Sequence, residues 1–272
     1  MSNCCGNRLR RMNWRMQHVV VLSRSEIEQF MELGYVRVAG AYSPRVAQQC
    51  RELACEQLEM SMAPPWPEPV KRGLVDGEPF RESANAPRLL EAVDQLLKGE
   101  AWQPRPNLGL LVIRFPSDVD PGDAGWHIDA SFEGPATDGL FSWYVNYESK
   151  GRGLLLLCLL SDVGVDDAPT RILEGSHHAM PGLLRPFGEA GVLGQTAPLP
   201  DVNGQTALAT GQAGDVFICH PFLVHAASWP HRGTEPRIIA QPPISLDGAL
   251  RIDEARRELS PVARVVRRAL DR

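Results

Sequence analysis

His127 and Asp129 stand two positions apart in Gly125-Trp126-His127-Ile128-Asp129-Ala130-Ser131-Phe132. In an extended segment alternate side chains share a face, so one imidazole and one carboxylate aim at a single point. Such a pair supplies two ligands of a metal site. A third donor has to arrive from elsewhere in the fold. His225 closes the strand-like run Gly214-Asp215-Val216-Phe217-Ile218-Cys219-His220-Pro221-Phe222-Leu223-Val224-His225, where a neighbouring strand can deliver it. Two histidines and one carboxylate on one face leave coordination positions open on a ferrous ion, as in non-haem iron oxygenases. Twelve residues beyond His225, Arg237 opens the apolar run Ile238-Ile239-Ala240. A guanidinium there suits bidentate capture of a carboxylate.

An isolated His-x-Asp pair is common by chance, so its weight rests on what accompanies it. The accompanying pieces are Glu26-Ile27-Glu28-Gln29-Phe30 through Gly34-Tyr35-Val36, Trp126-His127-Ile128-Asp129, Pro169-Thr170-Arg171-Ile172-Leu173-Glu174-Gly175-Ser176-His177, Gly214-Asp215-Val216 through His225, and Arg237. In this order and spacing the chain resembles the phytanoyl-CoA dioxygenase family of iron(II)- and 2-oxoglutarate-dependent oxygenases, over roughly residues 23 to 245. The resemblance implies that His127, Asp129 and His225 hold Fe(II). It also implies that 2-oxoglutarate chelates the ion through its keto and C1 carboxylate oxygens, and that Arg237 pairs with the distal C5 carboxylate. Dioxygen takes the remaining position. The chemistry implied is oxidative decarboxylation to succinate and carbon dioxide coupled to attack on an unactivated C–H bond of a small-molecule substrate, with hydroxylation the usual outcome. Related halogenating enzymes replace the carboxylate ligand by a small residue, so Asp129 argues against halogenation. The chain departs from the family pattern at Ile128, where Gln is frequent, at Ala227, where a small polar residue is common, and at Glu174, where Pro is usual.

Other residues near these motifs have two readings each. Trp126, Phe132, Trp143 and Tyr144 flank the metal stretch and are candidates to shape a substrate pocket, with core packing the alternative. Arg114 ends a strand before the Asp-rich loop 118–123 and is a candidate to meet an acidic substrate group, with a surface salt bridge the alternative. His220 stands five positions before His225 with Pro221 between them, and reads as a strand-end or supporting group. His177 and His178 lie in a turn and receive no ligand role. A jelly roll with two His and one Asp could also serve an isomerase, a hydrolase or a binding module. Arg237 speaks against these, because they have no use for an anchor matched to a dicarboxylate.

The positioning elements follow from local patterns. Ser23 with Glu26 makes a capping box for a short amphipathic helix that Gly34 stops. Tyr35-Val36-Arg37-Val38 alternates like a strand, and Ser43-Pro44 begins a second helix. Residues 63–80 contain Pro64, Pro65, Pro67, Pro69 and Pro79 with Gly73 and Gly77, so no regular element is expected to cross them, and a loop of that length is a candidate lid. Pro87 opens a helix carrying Leu89, Leu90, Val93, Leu96 and Leu97. From Asn107 the texture changes to short apolar runs at 108–115, 141–147, 154–160, 171–173, 216–220 and 237–244. Strands separated by turn signals in this way indicate a sandwich or barrel. The expected architecture is mainly β with α: a double-stranded β-helix, or cupin-like jelly roll, buttressed by N-terminal helices, with a last helix from Ser260-Pro261 to Leu270.

The 272 residues, 43% of them hydrophobic, suffice for one large core. The expectation is one domain over 23–272 preceded by a basic, disordered segment 1–22. That start holds Arg8, Arg10, Arg11 and Arg15, and with Arg24 also set aside the remainder carries 23 basic against 33 acidic groups. A body so acidic is a poor nucleic-acid binder. Six cysteines without a paired Cys-x-x-Cys pattern read as reduced thiols of a cytoplasmic protein. The longest apolar run, 154–160, falls far short of the roughly 20 residues that span a bilayer.

Overall fold

The computed structural model describes residues 20–134, 142–253 and 258–272. Nearly all of the basic segment 1–22, and Phe141 of the run 141–147, lie outside the described residues. Strands and helices are numbered in chain order. The large sheet is antiparallel, in the spatial order β1 (Tyr35–Val38), β10 (Val216–Cys219), β6 (Arg152–Leu159), β12 (Arg237–Ala240), β3 (Leu110–Arg114) and β2 (Val70–Leu74), with β13 (Pro243–Ser245) also paired to β6. Opposite it lie two short sheets, β11 (His225–Ala226), β7 (Arg171–Leu173), β9 (Thr206–Leu208) and β4 (Phe132–Glu133), β5 (Trp143–Val145), β8 (Val192–Leu193). An isolated bridge between His127 and His225 links the two. This is the jelly roll expected from the sequence.

The apolar run of β6 explains why the sheet has two cores. Leu154, Leu156, Cys158 and Leu160 face the helical layer, whereas Leu155, Leu157 and Leu159 face the inside of the roll with Ile172, Phe217 and Ile239. A strand buried on both faces reads as a continuous rather than alternating apolar segment. The helical layer comprises α1 (Arg24–Leu33), α2 (Pro44–Gln57), α3 (Glu78–Ala84), α4 (Pro87–Leu96), a short α5 (Met180–Leu184) and α6 (Pro261–Leu270). Ser23 and Glu26 form the capping box of α1, and Gly34 ends it at φ 91°. A Cβ at Gly34 would come within 2.6 Å of both His177 and Leu223, so glycine is required there for space as well as for backbone conformation.

Two expectations need correction. The proline-rich stretch 63–80 does not stay irregular: β2 and the start of α3 cross it. Pro64, Pro65, Pro67 and Pro69 all precede β2, which pairs only with β3 at the sheet edge, where a strand has to satisfy one neighbour rather than two. The segment is therefore a wall of the roll and not a lid. The run 237–244 is also two strands. Pro242 has no N–H to donate, and the chain breaks there into β12 and β13, while its carbonyl accepts from the Leu156 amide at 3.0 Å.

His177, His178 and His220 form a stack behind the roll, with ring centroids 4.1 Å (177–178) and 4.8 Å (177–220) apart. Their Nε2 atoms meet the carbonyls of Met31 at 3.2 Å, Glu32 at 3.1 Å and Val262 at 3.4 Å, tying the end of α1 and the start of α6 to the sheet. Burial, and secondarily His178, push the His177 imidazole down to about 3, and burial puts His220 well below its ordinary value. The unfolded chain therefore binds more protons than the folded one below the ordinary histidine pKa, so stability falls as pH falls from about 6.5 towards 3. Each such group contributes a slope approaching about 1.4 kcal/mol per pH unit. Urea midpoints of metal-free protein are expected to show His177→Gln losing one such slope between about pH 6 and 4; parallel curves for the two proteins would contradict the assignment.

Candidate metal centre and cosubstrate cavity

His127 and His225 are brought together by backbone pairing. Each donates its amide to the other's carbonyl at 3.0 Å, which sets the imidazoles side by side with centroids 4.4 Å apart. Each Nδ1 lies against the carbonyl two residues earlier, Gly125 at 3.0 Å for His127 and Leu223 at 3.1 Å for His225. With Nδ1 carrying the proton towards those carbonyls, Nε2 keeps its lone pair, the tautomer a metal ligand needs. Asp129 follows on the same face, and the ligand atoms of the three residues lie within 4.8 Å of one another. Burial pushes the His225 pKa down, which keeps the ring neutral. No other such triad occurs among the described residues. His225 is buried, Asp129 half-buried and His127 exposed, so the cluster opens to one side. His220, wholly buried in the histidine stack, takes no part.

Asp129 has a partner that the sequence reading missed. Arg152 Nη1 lies 3.0 Å from its Oδ2, and Nη2 of the same guanidinium donates to the Ala130 carbonyl at 2.5 Å. Burial pushes the Asp129 carboxyl up, but His225, Arg152 and His127 outweigh it and hold the pKa below the usual range. The signal for Arg152 was the one used for Arg237: an arginine at the head of an entirely apolar strand.

Among the described residues, a cavity adjoins the cluster on each of two sides. One, of about 260 Å³, runs from His127 and His225 to Arg237 and Arg114. Its floor follows strand alternation, with Leu110, Val112 and Arg114 from β3 and Arg237 and Ile239 from β12 on the inner face. Arg237 is 2% exposed; Nη1 donates to the Ala168 carbonyl at 2.8 Å, while Nε has no partner. Burial, then the neighbouring Arg114, push its pKa down to about 9, so it remains charged at neutral pH. Arg114 is no surface residue: it is buried in this cavity and meets Asp123 of the Asp-rich loop. Ala227 lines the same cavity, and the Ser228 hydroxyl donates instead to the Pro169 carbonyl at 2.6 Å. The second cavity, of about 340 Å³, lies on the other side of His127 and Asp129, against Trp143, Leu193 and Gln195.

Trp126 and Phe132 line neither of these two cavities. Trp126 lies under the Arg171 guanidinium at 4.7 Å, and Phe132 packs on Tyr144 at 6.2 Å with Lys150 over its ring at 5.0 Å.

The donor chemistry fits a divalent metal: two imidazoles and one carboxylate converge, and a buried cation beside them lacks an anion. A jelly roll bearing this triad beside an anion cavity defines a metal-enzyme type of architecture. The chain belongs to the phytanoyl-CoA dioxygenase family, whose model matches residues 30–239. Among solved structures it is similar to the non-heme alpha-ketoglutarate-dependent carbocyclase SnoK from nogalamycin biosynthesis, at 17% identity and TM-score 0.58, over 88% of this chain and 92% of that one. HygX from Streptomyces hygroscopicus, solved with nickel, 2-oxoglutarate and hygromycin B bound, matches at 17% identity and TM-score 0.54, over 83% and 88%. The epimerase SnoN, in complex with Fe3+, alpha-ketoglutarate and nogalamycin RO, matches at 17% identity and TM-score 0.56, over 82% of each chain. A search of curated proteins finds no match.

Proposed function

We propose that this chain is an Fe(II)- and 2-oxoglutarate-dependent dioxygenase that hydroxylates an unactivated C–H bond of a small molecule, releasing succinate and carbon dioxide. The observation that carries this reading is the one cavity that joins His127 and His225 to the guanidinium of Arg237, whose Nε has no partner. Family membership and the solved relatives that hold metal with 2-oxoglutarate support it. The solved relatives include an epimerase and a carbocyclase, so what their descriptions share is alpha-ketoglutarate rather than one product class.

Fe(II) bound here with 2-oxoglutarate supplies the activation of dioxygen and the abstraction of hydrogen. The chain's own residues then divide the work. His127 and His225 present Nε2 and Asp129 a carboxylate oxygen from one face, leaving the opposite side open. Arg237 holds the distal carboxylate of the cosubstrate away from water. The cavity beside Trp143, Leu193 and Gln195 receives the substrate next to the exposed edge of His127; its volume of about 340 Å³ suits a small molecule. An isomerase or hydrolase on the same triad would leave Arg237 without purpose, a buried charge lacking its partner.

The test is succinate release and oxygen uptake with Fe(II) and ascorbate, alongside the melting temperature with Mn(II). 2-Oxoglutarate is expected to raise that temperature only when the metal is present; no shift at saturating cosubstrate would refute the reading. Arg152 acts through Asp129 as a positioning residue. Arg152→Gln is expected to weaken Mn(II) binding, read by electron paramagnetic resonance, by about tenfold, the lower end for loss of an outer partner of a metal ligand. Arg152→Lys should restore part of it, and an unchanged affinity in the Gln variant would remove Arg152 from the site.

A further inference from the structure

We propose that Arg114 is a second anchor for the distal carboxylate of the cosubstrate, and that Asp123 is an internal carboxylate that occupies this anchor and gives it up when the cosubstrate enters. The proposal rests on the reading of the cavity as the 2-oxoglutarate site. Arg237 and Arg114 are direct partners across β12 and β3, and directly opposed residues of an antiparallel pair point to the same face. Two like charges so placed repel each other, and both side chains are 2% exposed. Such an arrangement is costly unless an anion lies between the two charges.

The cavity holds one anion of its own. Asp123 places Oδ1 2.8 Å and Oδ2 2.9 Å from Arg114 Nη2, and Oδ2 also meets Arg72 Nη2 at 2.5 Å. One carboxylate thus serves two guanidiniums, while the third, Arg237, donates through Nη1 to a backbone carbonyl. The Nε atoms of both Arg114 and Arg237 are buried with no acceptor. Arg72, Arg114 and Arg237 together exceed the charge of Asp123 in a space that ends at the two histidines. The missing partner is an anion that reaches from the metal side to this pair of guanidiniums, which a 2-oxo dicarboxylate does and a 2-oxo monocarboxylate does not. Its arrival places a second negative charge beside Asp123, so the two carboxylates compete for Arg114.

This competition predicts effects of opposite sign. Asp123→Asn keeps the size of the side chain and removes the competing charge, whereas Arg114→Gln removes an anchor. Calorimetric titration of the Mn(II)-loaded full chain with 2-oxoglutarate is expected to show binding at least about tenfold weaker for Arg114→Gln and about threefold tighter for Asp123→Asn, with Arg114→Lys between Gln and the parent because a point charge cannot fork onto a carboxylate. Titration with 2-oxovalerate, which lacks the distal carboxylate, should be nearly unaffected by either change. A merely structural ion pair predicts parallel losses for Asp123→Asn and Arg114→Gln with both ligands, and that result overturns the proposal. So does unchanged 2-oxoglutarate affinity in Arg114→Gln. If that variant fails to fold, Asp123→Asn and Arg114→Lys decide. Failure of the parent protein to bind 2-oxoglutarate would instead overturn the function proposed above, which separates the two.

Discussion

Replacing His225 by alanine is expected to abolish Fe(II) binding and turnover together. The three donors converge because His127 and His225 exchange both backbone hydrogen bonds, so removing either imidazole leaves two donors where a facial site needs three. His177, His178 and His220 offer no replacement for the lost ring, because they turn Nε2 onto backbone carbonyls of the helical layer. His127→Ala should behave alike. His220→Ala is the informative control. It opens a space in the fully buried stack and should cost stability, on the order of 2 kcal/mol as for other buried large-to-small changes, yet leave the metal site in place. Metal content of the purified variants, read by inductively coupled plasma analysis, checks both halves. Stoichiometric iron in His225→Ala, or its loss in folded His220→Ala, would sink the ligand assignment.

What the sequence disclosed and what it hid follow from the range of the interactions. The capping box at Ser23 and Glu26, the double-sided run of β6 and the alternation of His127 and Asp129 are local patterns, readable within a few residues. The delivery of His225 was readable only as a need for a third donor, because β11 has two residues and no alternation to announce it; its place is fixed by pairing with His127 and Ile172, far away in sequence. β2 hid behind prolines because an edge strand is decided by its neighbour and not by its own composition. The partners of charged groups were hidden most. Arg152 reaches Asp129, and Asp123 joins Arg114 to Arg72, through contacts that exist only once the strands have been ordered in the sheet. For the aromatics, nearness in sequence to His127 left pocket and packing roles equally open for Trp126 and Phe132; the contacts made are with Arg171 for Trp126 and with Tyr144 and Lys150 for Phe132.

The two arginines that follow His225 give the sharpest test of the cosubstrate anchor. Arg232 is exposed in the turn after the Trp229-Pro230 bond, and its amide donates to the Asp166 carbonyl at 2.7 Å. Its guanidinium is therefore hydrated, and an ion pair formed there would contribute little. Arg237 lies in β12 facing inward, with its Nε unsatisfied, so a carboxylate that reaches it forms charged hydrogen bonds shielded from water. Bonds of that kind contribute about 1.5 to 3 kcal/mol, and about 1.4 kcal/mol corresponds to a factor of ten. Arg237→Ala is accordingly expected to raise the apparent KM for 2-oxoglutarate by at least about tenfold with Fe(II) binding retained, whereas Arg232→Ala should change it by less than about threefold. Steady-state succinate release over a range of 2-oxoglutarate concentrations measures both. The reverse order would mean that the acidic end of the cosubstrate leaves the cavity towards the surface turn, and that the buried charge of Arg237 serves the fold through its bond to the Ala168 carbonyl.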